Sequence, residues 1–199
     1  MNFGALRVLN DDRVEAGKGF GTHPHKNMEI ISIPLKGKLK HGDSNKNSRT
    51  ITIGDIQTMS AGTGIYHSEM NGSDTEPVEF LQIWVMPEKL NTPPAYRDYD
   101  IRPFLRKNEL ALIVSPDGDA PAKMLQQTWF SIGEIEAGKK IGYHMHQSHA
   151  GVYIFVIEGE VKVDDTVLSR RDGMGVYDTH SFELETLKDS HILQMEVPM

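Results

Sequence analysis

Residues 21–29 read Gly21-Thr22-His23-Pro24-His25-Lys26-Asn27-Met28-Glu29, and residues 62–71 read Gly62-Thr63-Gly64-Ile65-Tyr66-His67-Ser68-Glu69-Met70-Asn71. In an extended strand the side chains at i and i+2 point to the same face. His23 and His25 then share a face, as do His67 and Glu69. Two such strands lying opposite each other would bring three imidazoles and one carboxylate to one point. That donor set suits a divalent first-row metal such as Fe, Ni, Cu, Mn or Co and leaves coordination positions free for substrate or dioxygen. Zinc accepts the same donors, usually in a closed tetrahedral or hydrolytic site.

The surrounding chain predicts an all-β protein. Short apolar runs recur: Ile30-Ile31-Ser32-Ile33, Thr50-Ile51-Thr52-Ile53, Phe80 to Val85, Gly151 to Ile157 and Glu160 to Val163. Turn residues follow them closely, as in Lys36-Gly37, Ile53-Gly54-Asp55 and Glu158-Gly159. Many short strands with such turns point to a barrel or sandwich. The best helical candidates are short and fall within Tyr96 to Lys107 or Ala120 to Gln126. Pro87, Pro93, Pro94, Pro103, Pro116 and Pro121 mark a stretch that suits neither a strand nor a helix well. It reads as a connector (91–124) between one β unit at 1–90 and another at 125–199.

The two units echo each other. Gly17 precedes His23 by the same gap as Gly138 precedes His144, and His25 and His146 follow. This suggests a duplicated module. The second copy has Ala150 where the first has Glu29, and it never reaches a His-x-Glu pair. His144 and His146 therefore read as a vestigial, metal-free site.

Composition excludes several classes. The net charge of −7 argues against a nucleic-acid surface, which needs a basic stripe. No cysteine is present, so neither a disulfide nor a thiolate site can form, which fits a reducing cytoplasm. The N-terminus lacks the basic and apolar regions of a signal peptide, and no stretch is long enough to span a membrane as a helix.

The motif Gly17-(x5)-His23-x-His25-(x3)-Glu29-(x7)-Gly37 resembles the first cupin motif, and Gly54-(x5)-Ser60-x-Gly62-(x4)-His67-(x3)-Asn71 resembles the second. Within the cupins, Gly19 to His25 and Met59 to Glu69 look specifically like the pirin family. The resemblance implies two cupin barrels packed in tandem, with one metal in the N-terminal barrel. Its ligands would be His23, His25, His67 and Glu69, and iron is the expected metal. Glu29, the ligand in many other cupins, would lie in an outer layer or at the surface. Chains of that family usually carry a further N-terminal segment, so an open edge strand or a seam covered by a second copy is expected, and the protein would be a monomer or a dimer.

The resemblance further implies a dioxygenase of the quercetinase type, opening a flavonol ring with dioxygen and losing carbon monoxide. Glu69 would accept the substrate hydroxyl proton. The alternative is a non-catalytic, metal- or redox-responsive regulator acting through a protein partner. A metal-assisted isomerase or hydrolase is a weaker third reading. Phe80, Gln82 and Trp84 alternate along one strand as either a pocket wall or ordinary packing. Thr63 and Ser68 suit either outer hydrogen bonds or turns. His41 reads as an exposed turn residue, and Lys36, Lys38 and Lys40 as a solvated face.

Overall fold

A computed structural model describes residues 2–199. The first half forms β1 (Leu6–Val14), β2 (Gly19–His25), β3 (Glu29–Lys36), β4 (Lys38–Asp43), β5 (Ser48–Thr52), β6 (Asp55–Ser60), β7 (Ile65–Asn71), β8 (Val78–Val85) and β9 (Ala95–Asp100). A single 3-10 turn, Arg102–Phe104, leads to β10 (Ala111–Ser115) and β11 (Ala122–Lys123). The second half forms β12 (Trp129–Ile135), β13 (Lys140–His144), β14 (Ala150–Glu158), β15 (Glu160–Val163), β16 (Thr166–Ser169), β17 (Gly173–Tyr177), β18 (Ser181–Thr186) and β19 (Ser190–Pro198).

The duplication read from the glycine–histidine spacing is present in the strand order. One half has sheets β1-β8-β3-β6-β9 and β2-β7-β4-β5. The other has β11-β10-β12-β19-β14-β17 and β13-β18-β15-β16. Apart from β9, β10 and β11, each strand of the first half has a counterpart in the second with the same neighbours. Each pair of sheets closes on itself as a cupin barrel.

Prolines punctuate this pattern. Pro24 lies on β2, an edge strand, where a missing N–H costs least. Pro34 lies beside a register shift in the β3–β8 pairing. The stretch 91–124 is more ordered than its prolines predict. β9 pairs with β6, and β10 pairs with β11 and β12, because β9 fits between Pro94 and Pro103, β10 fits between Pro103 and Pro116, and β11 follows Pro121. Of the two windows expected to hold a short helix, Tyr96 to Lys107 contains strand β9 and then only the 3-10 turn Arg102–Phe104, and Ala120 to Gln126 contains the short strand Ala122–Lys123 instead.

Alternation on β3 and β8 sets the layers. Ile31, Ile33, Leu81, Ile83 and Val85 face the second barrel and join Phe130, Ile132, Leu193 and Met195 in one core. The opposite face of the same strands turns into the first barrel. There Phe80 packs with Leu39, Ile51 and Val78, while Trp84 packs against Ile30, Met59, Ala61 and Ile65. The sheet carrying β8 therefore has a dry face toward its sister barrel and a partly polar face toward the candidate site. Among the described residues, no helix is long and apolar enough to cross a membrane.

Candidate metal centre

β2 and β7 are antiparallel neighbours, and His23 lies directly opposite His67. The register shifts between Phe20 and His23, so β2 carries one residue more than β7 over that stretch. A one-residue slip moves every following side chain to the other face. The bulge thus turns His23 and His25 toward the side on which β7 presents Ile65, His67, Glu69 and Asn71, which are all buried. Gly62 starts the turn into β7 with φ +47, and a Cβ there would collide with the Thr92 carbonyl.

One ring nitrogen each from His23, His25 and His67 lies within 4.8 Å of the others. The His23 and His67 Nε2 atoms are 3.0 Å apart. His23 Nδ1 is 2.8 Å from the Gly21 carbonyl, so Nδ1 carries the hydrogen and Nε2 presents a lone pair. His25 Nε2 is buried with no partner. Lone pairs converging in this way, with one orphaned, suit a divalent metal, and the three imidazoles fit one. Burial pushes His25 down to about 4 and His67 to about 3, and the neighbouring rings push in the same direction. Both therefore stay neutral and ligand-competent at neutral pH.

That shift sets a pH dependence for the metal-free protein. The unfolded chain takes up these protons near 6.5, whereas the folded chain resists until about 4 or 3. The unfolded state binds more protons between those values, so stability is full above 6.5 and falls as the pH drops through the window. For buried His67 the slope reaches about 1.4 kcal/mol per pH unit. Urea midpoints of the metal-free protein at pH 7 and pH 5 should differ accordingly, and equal midpoints would refute the assignment.

Glu69 sits on the same face of β7 as His67, but its carboxylate lies outside the trio of mutually close ring nitrogens. Ser32 Oγ and Gln57 Nε2 each donate to Oε1 at 2.7 Å, and Gln82 Nε2 donates to Oε2. Burial pushes this carboxyl up, against the hydrogen bonds from Ser32 and Gln82. The two amides reach further. Tyr96 Oη donates to Gln57 Oε1 at 3.1 Å, and Trp84 Nε1 donates to Gln82 Oε1 at 2.9 Å. Trp84 meets His25 edge-on at 4.9 Å. Glu69 is thus held from β3, β6 and β8 at once. Of the three alternating residues on β8, Phe80 is core packing, whereas Gln82 and Trp84 border the site.

Several expectations need correction. His41 is not an exposed turn residue. It lies on β4, 1% exposed, facing inward and bonded through Nε2 to Asp43 Oδ2 at 2.9 Å. Its alternation with Leu39 and Asp43 carried that information, but the adjacent Gly42-Asp43 pair suggested a turn. Of the two places expected for Glu29, an outer layer or the surface, the surface is ruled out. Glu29 is buried and accepts from Leu125 N (2.9 Å), Gln126 N (2.7 Å) and Ser60 Oγ (3.1 Å), tying β3 to the segment entering the second barrel. Ser32, Gln57 and Tyr96 were missed. Only Ser32 had a local marker, a polar residue inside the apolar run 30–33.

In the second barrel His144 and His146 do not converge on a site. β13 pairs with β18 without a register shift, so Ile141, Tyr143 and Met145 face inward and His144 faces solvent. β18 presents Phe182, Leu184 and Thr186 inward where β7 presents His67, Glu69 and Asn71. His146 stacks on Trp129 at 4.6 Å, and its Nδ1 is 2.7 Å from Glu196. That buried carboxylate also accepts from Tyr143 Oη and from the backbone amides of His146 and Gln147. Replacing both His144 and His146 with alanine should leave metal stoichiometry unchanged in elemental analysis of the purified protein.

Comparisons with known proteins agree with this architecture. Residues 1–85 match the Pirin family model, and residues 112–197 match the quercetinase C-terminal cupin domain. Quercetin 2,3-dioxygenase of Escherichia coli K12 is 38% identical over 203 residues, covering all of this chain and 84% of that protein. The chain belongs to the pirin family. A pirin-like protein of Caulobacter vibrioides is 33% identical across 98% of this chain and 84% of its own length. The crystal structure of YhhW, a bacterial pirin from Escherichia coli, superposes with a TM-score of 0.93 at 38% identity, over the whole chain and 83% of YhhW. A second structure of that pirin, in complex with nickel(II), gives a TM-score of 0.92 at 36% identity, over the whole chain and 84% of YhhW.

Proposed function

We propose that this pirin is a metal-dependent dioxygenase of the quercetinase type, with His23, His25, His67 and Glu69 as its metal ligands. The observation that carries the reading is the convergence of three imidazole nitrogens beside a buried carboxylate, in a chain 38% identical to a quercetin 2,3-dioxygenase. A divalent transition metal held there, with iron our first choice and nickel the next, would supply Lewis-acid binding of a flavonol and electron transfer to dioxygen. The remaining work falls to side chains. Glu69, whose proton affinity is raised by burial, takes the proton of the flavonol hydroxyl. Ser32, Gln57 and Gln82 hold its carboxylate oriented for that transfer. Trp84, partly exposed beside His25, offers a flat surface to a planar phenolic ring.

The test is oxygen uptake with quercetin by protein loaded in turn with Fe(II), Ni(II), Cu(II), Mn(II), Co(II) and Zn(II). Metal-dependent uptake with carbon monoxide release is expected. A stoichiometric bound metal without uptake would transfer the assignment to the redox-responsive regulator, and the next measurement would be protein partners captured by the oxidised and reduced metal forms.

A further inference from the structure

His67 and His41 each leave one buried ring nitrogen without a partner. β4 runs beside β7 with Asp43 opposite His67 and His41 opposite Glu69. The His41 and His67 rings are neighbours, with centroids 5.5 Å apart and planes tilted by 47°. In both rings the orphaned atom is Nδ1.

The hydrogens can be placed on chemical grounds. A carboxylate only accepts, so His41 Nε2 carries the hydrogen that it shares with Asp43 Oδ2. In the neutral ring Nδ1 is then a lone pair. His67 Nε2 is the nitrogen that faces His23. With that nitrogen committed to a metal, the hydrogen of His67 lies on Nδ1. One ring is thus left with a buried donor and its neighbour with a buried acceptor, and leaving both unmade would cost the desolvation of each. Histidine ligands generally donate their second N–H to an outer partner that fixes the ring.

We propose that His41, anchored by Asp43, accepts the His67 Nδ1–H once a metal takes His67 Nε2, a bond the two neighbouring rings do not make in this structure, and so positions that imidazole for its metal. The supports on the far side are rigid. Asp43 also accepts from the Asn47 side chain at 2.9 and 3.1 Å and from the backbone amides of Asn45 (2.9 Å) and Asn47 (3.1 Å). Tyr96 stacks on His41 at 4.1 Å and 16°, which fixes the plane of the ring. The Glu196–His146 pair of the second barrel differs: its carboxylate is saturated and no ligand histidine lies next to it.

The proposal rests on the three-histidine metal reading, so its test measures binding. Ni(II) and Co(II) dissociation constants would be obtained by chelator competition, and Co(II) absorption spectra recorded, for the full chain and for His41→Phe, His41→Gln and Asp43→Asn. His41→Phe should weaken binding by about 10- to 100-fold and move the Co(II) bands, the size expected of an outer partner. His41→Gln, which keeps an acceptor, should recover part of the loss. Asp43→Asn should move both readouts in the same direction by less. A His41→Phe protein with unchanged affinity and spectrum would overturn the inference alone. If that variant does not fold, unchanged readouts in Asp43→Asn decide against it equally. A wild-type chain that binds neither metal would overturn the metal site and this inference together.

Discussion

Replacing His67 with alanine is expected to abolish stoichiometric metal binding and, with it, oxygen uptake on quercetin. His67 is the one imidazole of the trio contributed by β7, while His23 and His25 both come from β2. Without it, two imidazoles on a single edge strand remain, and β7 keeps only the Glu69 carboxylate, which is already held by Ser32, Gln57 and Gln82. Affinity should fall by more than about 100-fold, beyond the cost of losing an outer partner. Elemental analysis after dialysis against a weak chelator reads the loss directly. The metal-free variant should also lose about half of the destabilisation between pH 6.5 and pH 4, because both shifted histidines contribute in that window and one of them is gone. Glu69→Gln separates the roles further. It should retain more metal than His67→Ala while losing turnover, since an amide cannot take a proton. Full metal occupancy in His67→Ala would refute the ligand assignment.

Replacing Glu29 with alanine should produce the largest loss of stability among the polar residues considered. Three donors, from Leu125, Gln126 and Ser60, converge on this buried carboxylate. Removing it strands two backbone amides next to Gln126, a buried residue, each at about 1–3 kcal/mol. A total near 4 kcal/mol corresponds to a fall in Tm on the order of 10 °C for a chain of this size. Glu29→Gln keeps one acceptor oxygen and should lose about half as much. Metal affinity should stay within about twofold of the native value in both variants, a change far below that of a lost outer partner. Thermal unfolding and metal titration on the same samples check both halves. A Glu29→Ala protein with native Tm would refute the inter-barrel clamp, and one unable to bind metal would return Glu29 to the ligand set.

Much of the molecule was legible in the chain. The short apolar runs with glycine turns predicted an all-β protein because strand alternation and turn chemistry are local properties. The repeated glycine–histidine spacing predicted two related modules, and the strand order bears that out. The paired histidines and the Gly62 to Glu69 run pointed to one site, where three of the four predicted donors meet. The connector was misjudged because prolines count against strands only where an N–H is needed. β9 and β10 are short enough to fit between them.

The tertiary structure decided which face each residue occupies. His23-x-His25 and His144-x-His146 have the same spacing, yet only the first pair points into a barrel. The difference is the extra residue in β2, whose effect depends on its register against β7, forty residues away in the chain. The buried hydrogen-bond network around Glu69 likewise draws on β3, β6 and β8, and Tyr96 joins it from β9. His41 reads as a turn residue because of the adjacent Gly42-Asp43; its alternation with Leu39 placed the two on one face, and pairing with β7 decided that this face is the interior. The sequence by itself determined the class of fold, its duplication and the kinds of donor available. Strand register, which is set by pairing between distant segments, decided which of those donors share an interior and which face water.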